Sequence, residues 1–190
     1  MKNVLLLLSL LLCLVLWPKN SYSEKPSEKT ADMDLSALAG KFAKDVSNPF
    51  RKATAEELAT LKKLKLPASI ITFYSTHCPT GENVEGPQGI RLLSVKNMVE
   101  DNSKKSAPGR DVFPQGFVVF ATVDGDVFCF DVKTPQTPEN PRIILFGHEE
   151  PFTGMSRKDL LEGKAKIVAS SLKEFFQKAL TESLDVEPKY

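Results

Sequence analysis

The sequence predicts an α+β fold: a central antiparallel sheet (a meander), N-terminal helices, and one C-terminal helix packed on the sheet. Three observations carry that expectation. Two apolar, aromatic and β-branched runs, Phe117-Val118-Val119-Phe120 and Val127-Phe128-Cys129-Phe130, flank Thr122-Val123-Asp124-Gly125-Asp126. An Asp-Gly pair between such runs signals a hairpin, because glycine supplies a positive φ at no steric cost. A third run, Arg142-Ile143-Ile144-Leu145-Phe146, ends at Gly147, and three strands are the smallest sheet expected to hold together. Beyond it, Leu172, Phe175, Phe176, Ala179 and Leu180 recur at helical spacing, a stripe that reads as core contact.

Residues 1–23 read as a signal peptide. Lys2 opens it, an apolar run extends from Val4 to Trp17, and Ser21 and Ser23 stand just before a cut ahead of Glu24. A run of about fourteen residues is short for a membrane span. The expectation is therefore export, to the periplasm or the exterior, with no stable membrane span after cleavage; an uncleaved anchor is the alternative. Residues 24–33 carry Pro26, charges and no apolar period, and read as a disordered linker. Residues 34–184 then form a single domain, and 185–190 a flexible tail.

Within the domain, Leu35, Leu38, Phe42 and Val46 are spaced by three and four, and Asn48-Pro49 stops that helix. Thr54 and Glu57 form a capping box before Leu58, Leu61 and Leu64. Pro67 ends this helix and suits the first turn of the next, which tips the β-branched stretch 68–75 to helix over strand. Residues 80–89, rich in Gly and Pro, read as a loop, Ile90 to Leu93 as a strand, and Ser94 as the cap of a helix over 95–100. Residues 101–110 read as a polar loop, and 134–141, with three prolines, as a stiff exposed excursion.

At 42% hydrophobic and 26% charged, the composition is that of an ordinary globular domain. A net charge of +1 with no run of like charges gives no reason to expect nucleic acid. Cys78, beside His77, and Cys129 form an even pair outside the leader, so an oxidising compartment permits a disulfide; Cys129 can equally be a small buried hydrophobe in its strand. Ligand-pair spacings such as C-x-x-C are missing, and His148-Glu149-Glu150 lacks a second histidine for a zinc helix. Asp124, Asp126 and Asp131 flank the hairpin turn without calcium-loop spacing. The expectation is no catalytic centre, no metal and no cofactor. A secreted hydrolase using His77, Cys78 or His148 is the least favoured reading.

The order of elements resembles the SUKH superfamily, named for yeast cell-wall-assembly regulators and including many bacterial toxin-immunity proteins. Four pieces carry the resemblance: the acidic capped helix from Thr54 leading to Leu66-Pro67 and Phe73-Tyr74; the hairpin Gly116-Phe117-Val118-Val119-Phe120-Ala121 with Asp124-Gly125-Asp126-Val127-Phe128-Cys129-Phe130-Asp131; Pro141-Arg142-Ile143-Ile144-Leu145-Phe146 with His148-Glu149; and Ala169-Ser170-Ser171-Leu172-Lys173-Glu174-Phe175-Phe176. Where relatives carry an Asn-Gly turn after the proline-led helix, this chain has His77-Cys78-Pro79-Thr80-Gly81. The resemblance implies a protein-binding module without a catalytic centre, an immunity protein that neutralises a toxin by direct binding; an envelope scaffold or regulator is the alternative. For a protein partner, exposed loops are the first places to look, which singles out His77, Gly81, Arg110, His148, Phe152 and Met155. Phe152 and Met155 could instead pack onto the domain.

Overall fold

The computed structural model describes residues 33–43, 45–103, 109–134, 140–149 and 152–189. The expected leader at 1–23, and all but the last residue of the expected linker at 24–33, lie outside them. Local chemistry starts the first two helices. Helix α1 (Leu35–Phe42) is capped by Asp34, whose carboxylate accepts the Ala37 N–H. After β1 (Phe50–Arg51), α2 (Ala55–Lys63) opens with the full Thr54/Glu57 capping box. The proline-led segment is helix α3 (Ala68–Thr76), followed by β2 (Cys78–Pro79), which pairs with β1 in a small ribbon.

Next come β3 (Asn83–Glu85), β4 (Arg91–Leu93), α4 (Val95–Ser103) and α5 (Gly109–Val112). The meander is β5 (Phe117–Val123), β6 (Asp126–Asp131) and β7 (Ile143–Phe146). Short α6 (Arg157–Asp159), β8 (Lys166–Ala169) and α7 (Leu172–Leu180) complete the order. The fold is α+β, with the meander at the centre of a six-stranded antiparallel sheet in order β3-β4-β5-β6-β7-β8. The β5–β6 turn is built as its sequence requires, with Asp124 and Gly125 both at positive φ.

Several segments differ from the sequence expectation, the β1–β2 ribbon in the loop around Cys78 among them. β3 lies inside the stretch read as a loop, β8 lies in a stretch given no strand, α4 runs on to Ser103, and α5 occupies part of the expected polar loop. β3 has only Val84 buried between two exposed residues, too short a pattern to show a period. Its partner β4 supplies the pairing that its own sequence does not advertise.

Every residue of β6 and β7, and all but Thr122 of β5, is buried. Both faces of these three central strands are covered, which is why they read as continuous apolar runs and not as alternating ones. On one face, Phe120 and Phe130 stack at 3.9 Å, and Phe175 of α7 meets Phe120 and Phe128 edge-on. Phe176 gathers Phe42 of α1 and Phe73 of α3 against the same helix. Burying Phe175 and Phe176 completely stabilises the fold by roughly 1.5–3 kcal/mol each. The opposite face carries Phe117, Phe146 and Phe152 in edge contacts.

A bulge between Val119 and Ala121 interrupts the β5–β6 ladder. On β5's other side, β4 pairs only at Ala121 and Thr122. Asn102 of α4 fills the gap: its side-chain amide donates to the Val119 carbonyl and its oxygen accepts the Val119 N–H, both at 3.0 Å. One carboxamide thus stands in for a strand neighbour, and it is itself buried.

The ends of the sheet are also fastened. The Val168 carbonyl of β8 accepts from Lys178 Nζ of α7 at 2.8 Å. The segment after Leu184, expected to be a flexible tail, lies against the domain: Leu184 is buried and Lys166 Nζ pairs with Asp185 at 2.6 Å. Sequence alone shows a polar stretch there and not the lysine that holds it.

Candidate protein-interaction surface

Asp131 ends β6 with none of its side chain exposed to solvent. A buried carboxylate needs partners, and it has four: Arg142 Nε at 2.9 Å, an Arg157 terminal nitrogen at 2.5 Å, and the backbone N–H groups of Lys133 and Thr134. Arg157 also donates to the Gln115 carbonyl and to the Thr134 hydroxyl. One buried anion therefore ties together the start of β5, the segment after β6, the approach to β7 and the start of α6. Its role is to hold surface segments in fixed relation.

The six residues expected to meet a partner do not form one patch. Arg110 pairs with Asp111 at 2.6 Å, and the other Asp111 oxygen accepts the Thr153 hydroxyl at 2.7 Å. These bonds hold the Asp111 carboxyl below its usual range, Thr153 contributing most. Arg110 and the turn that carries Phe152 and Met155 are neighbours for this reason. Phe152 itself is not an available anchor: it is buried with its ring edge-on to Phe146, and Met155 is half-buried against the core. An aromatic residue among turn-formers is here a plug for the sheet's open face.

His148 sits at the β5–β6 turn, where one Asp126 oxygen accepts both its backbone N–H at 2.9 Å and its ring Nδ1 at 2.7 Å. That bond raises the imidazole pKa. His77 ends α3, its ring stacked on Phe73 at 5.0 Å and edge-on to Phe50, with Nδ1 2.8 Å from the Thr76 hydroxyl. Gly81 is exposed after β2.

The possible disulfide between Cys78 and Cys129 is not formed; both are free, buried thiols. Cys129 is enclosed within β6, whereas Cys78 belongs to the separate β1–β2 ribbon. The Cys78 sulfur faces Glu57 at 3.7 Å, and burial, then the Glu57 charge, push its pKa up to about 11. Glu57 is bound bidentately by Arg51, at 2.6 and 2.8 Å.

Sequence reasoning missed a groove whose rim carries Lys63, Lys65 and Lys133 around an apolar floor. Its residues come from three distant stretches, so no charge run could reveal it. Among the described residues, no cluster of His, Cys, Asp and Glu could hold a metal, and no helix is long and apolar enough to cross a membrane.

This geometry defines a class: an α+β domain with an antiparallel sheet whose central strands are covered on both faces, and surface segments fixed by a buried ion cluster. Residues 52–178, more than half of the chain, match the model of the SMI1 / KNR4 family (SUKH-1), and the chain belongs to that family. No curated protein and no solved structure matches it. The family consists generally of non-catalytic immunity and regulatory domains.

Proposed function

We propose that this chain is an exported protein-binding module that protects against a toxin by binding it directly and blocking it. Family membership carries the reading. The residues that a hydrolase would use also support it. Cys78 is a buried thiol with its pKa raised to about 11, so little thiolate is present at neutral pH. Its sulfur faces a carboxylate, while His77 is occupied by Phe73 and Thr76, and His148 by Asp126. In these contacts Cys78 is paired with neither histidine. Affinity would then reside in anchors on a rigid surface, which the Asp131 cluster keeps in register. The apolar leader at 1–23 supports an envelope or extracellular site of action.

The test is affinity capture with the tagged chain, expressed with its own N-terminus, from the envelope and medium of its source and of competing strains. The expected result is a stoichiometric partner with a toxic activity that added chain abolishes at equimolar amounts. Capture of a constitutive cell-wall or secretion component, with no activity inhibited, overturns immunity in favour of a scaffold.

A further inference from the structure

The end of α2, the turn into β5 and the residues after β6 enclose an open groove of about 330 Å³. Its floor is apolar, formed by Phe113, Pro114 and Val132 among others. Its rim carries three ammonium groups, Lys63, Lys65 and Lys133, and no acidic side chain lines it. Lys63 and Lys65 have no ion-pair partner among the described residues. Lys133 is positioned: its N–H donates to Asp131, its Nζ donates to the Pro114 carbonyl at 3.1 Å, and its stem fills the space beside Gly116. Asp131 does not neutralise the rim, because it is buried and bound by Arg142 and Arg157. In a chain of net charge +1, three lysines around one apolar hollow make a local positive field.

We propose that this groove docks an acidic segment of a protein partner, with an apolar side chain on the Phe113–Val132 floor and flanking carboxylates on Lys63, Lys65 and Lys133. The proposal rests on the protein-binding reading and adds the chemistry of the partner. Charge complementarity selects the acidic flanks, and the floor selects the apolar residue between them.

The experiment is fluorescence anisotropy of the full chain with three labelled peptides: acidic residues around a central Leu-Phe pair, the same flanks around Ser-Ser, and lysine flanks around Leu-Phe. The first is expected to bind, the second about tenfold more weakly, and the third not at all. Salt near 1 M, where the screening length is ~3 Å, should release the first. Lys63→Glu with Lys65→Glu should weaken it at least tenfold with thermal unfolding unchanged. Lys133→Met, which removes the third ammonium group from the rim and keeps an apolar stem beside Gly116, should weaken it with both ammonium groups of α2's end in place. Equal binding by the double variant, equal affinity for the lysine peptide, or binding only to phosphatidylserine vesicles overturns the proposal. A toxin captured equally by wild type and double variant removes the groove and leaves immunity standing. Charge-dependent peptide binding without any inhibited toxin leaves the groove and removes immunity.

Discussion

The guanidinium carbon of Arg157 lies 4.5 Å from the centroid of the Phe117 ring. The same guanidinium binds Asp131, the residue directly opposite Phe117 in the β5–β6 ladder. One arginine thus reads both members of a cross-strand pair, one through its ring face and one through its charge.

Removing the carboxylate from this arrangement should be costly. Asp131→Ala leaves two arginines facing each other's charge, each about one-fifth exposed, and should destabilise the domain by about 3 kcal/mol or more in urea unfolding. Arg157→Lys keeps the charge but not the fork or the ring contact, and should recover only part of the stability lost in Arg157→Ala.

Asn102→Ala should cost about 2–4 kcal/mol, because it strands the Val119 N–H and carbonyl in a buried strand. Hydrogen exchange gives the local readout. The Val119 amide should lose protection far more than those of β6 and β7.

Acid should act through Glu57. Its carboxyl falls from 4.5 to about 2 on folding, chiefly because Arg51 bonds it, against the upward pull of burial. A depressed folded pKa contributes stability above the unfolded value, and that contribution is lost as pH falls through the folded one. Denaturation midpoints followed from about pH 5 to pH 2 should therefore drop more steeply in the wild type than in Glu57→Gln.

Thiol chemistry distinguishes free from bridged cysteines. In the native protein near pH 8, Cys78 and Cys129 should react slowly with Ellman's reagent, burial raising both pKa values. After unfolding without reductant, both should alkylate fully, as read by mass spectrometry. A mass change of Cys78 and Cys129 that requires prior reduction would contradict the structure.

The elements announced by local chemistry were legible: the Thr54/Glu57 box, the Pro67-led helix, the Asp124-Gly125 turn and the Phe175/Phe176 stripe. The elements that exist through their partners were not. β3 has one buried residue and is a strand because β4 lies beside it. Asn102 reads as one more polar residue near a loop, and only the gap beside Val119 gives it a role. Phe152 among turn-formers reads equally as an exposed anchor or as a packed residue, and only its place on Phe146 at the sheet face decides for packing. The lysine groove is invisible for the same reason, since its three segments meet only after folding.

The fastening of β8 has a consequence for crowded solutions. An outermost strand normally offers its carbonyls to any other chain that passes. Here the strand is four residues long, the Val168 oxygen is already taken by Lys178, and Lys166 is drawn to Asp185. A newcomer seeking to polymerise onto the sheet there would have to displace ammonium groups, so this molecule can accumulate without its copies stitching together along that border.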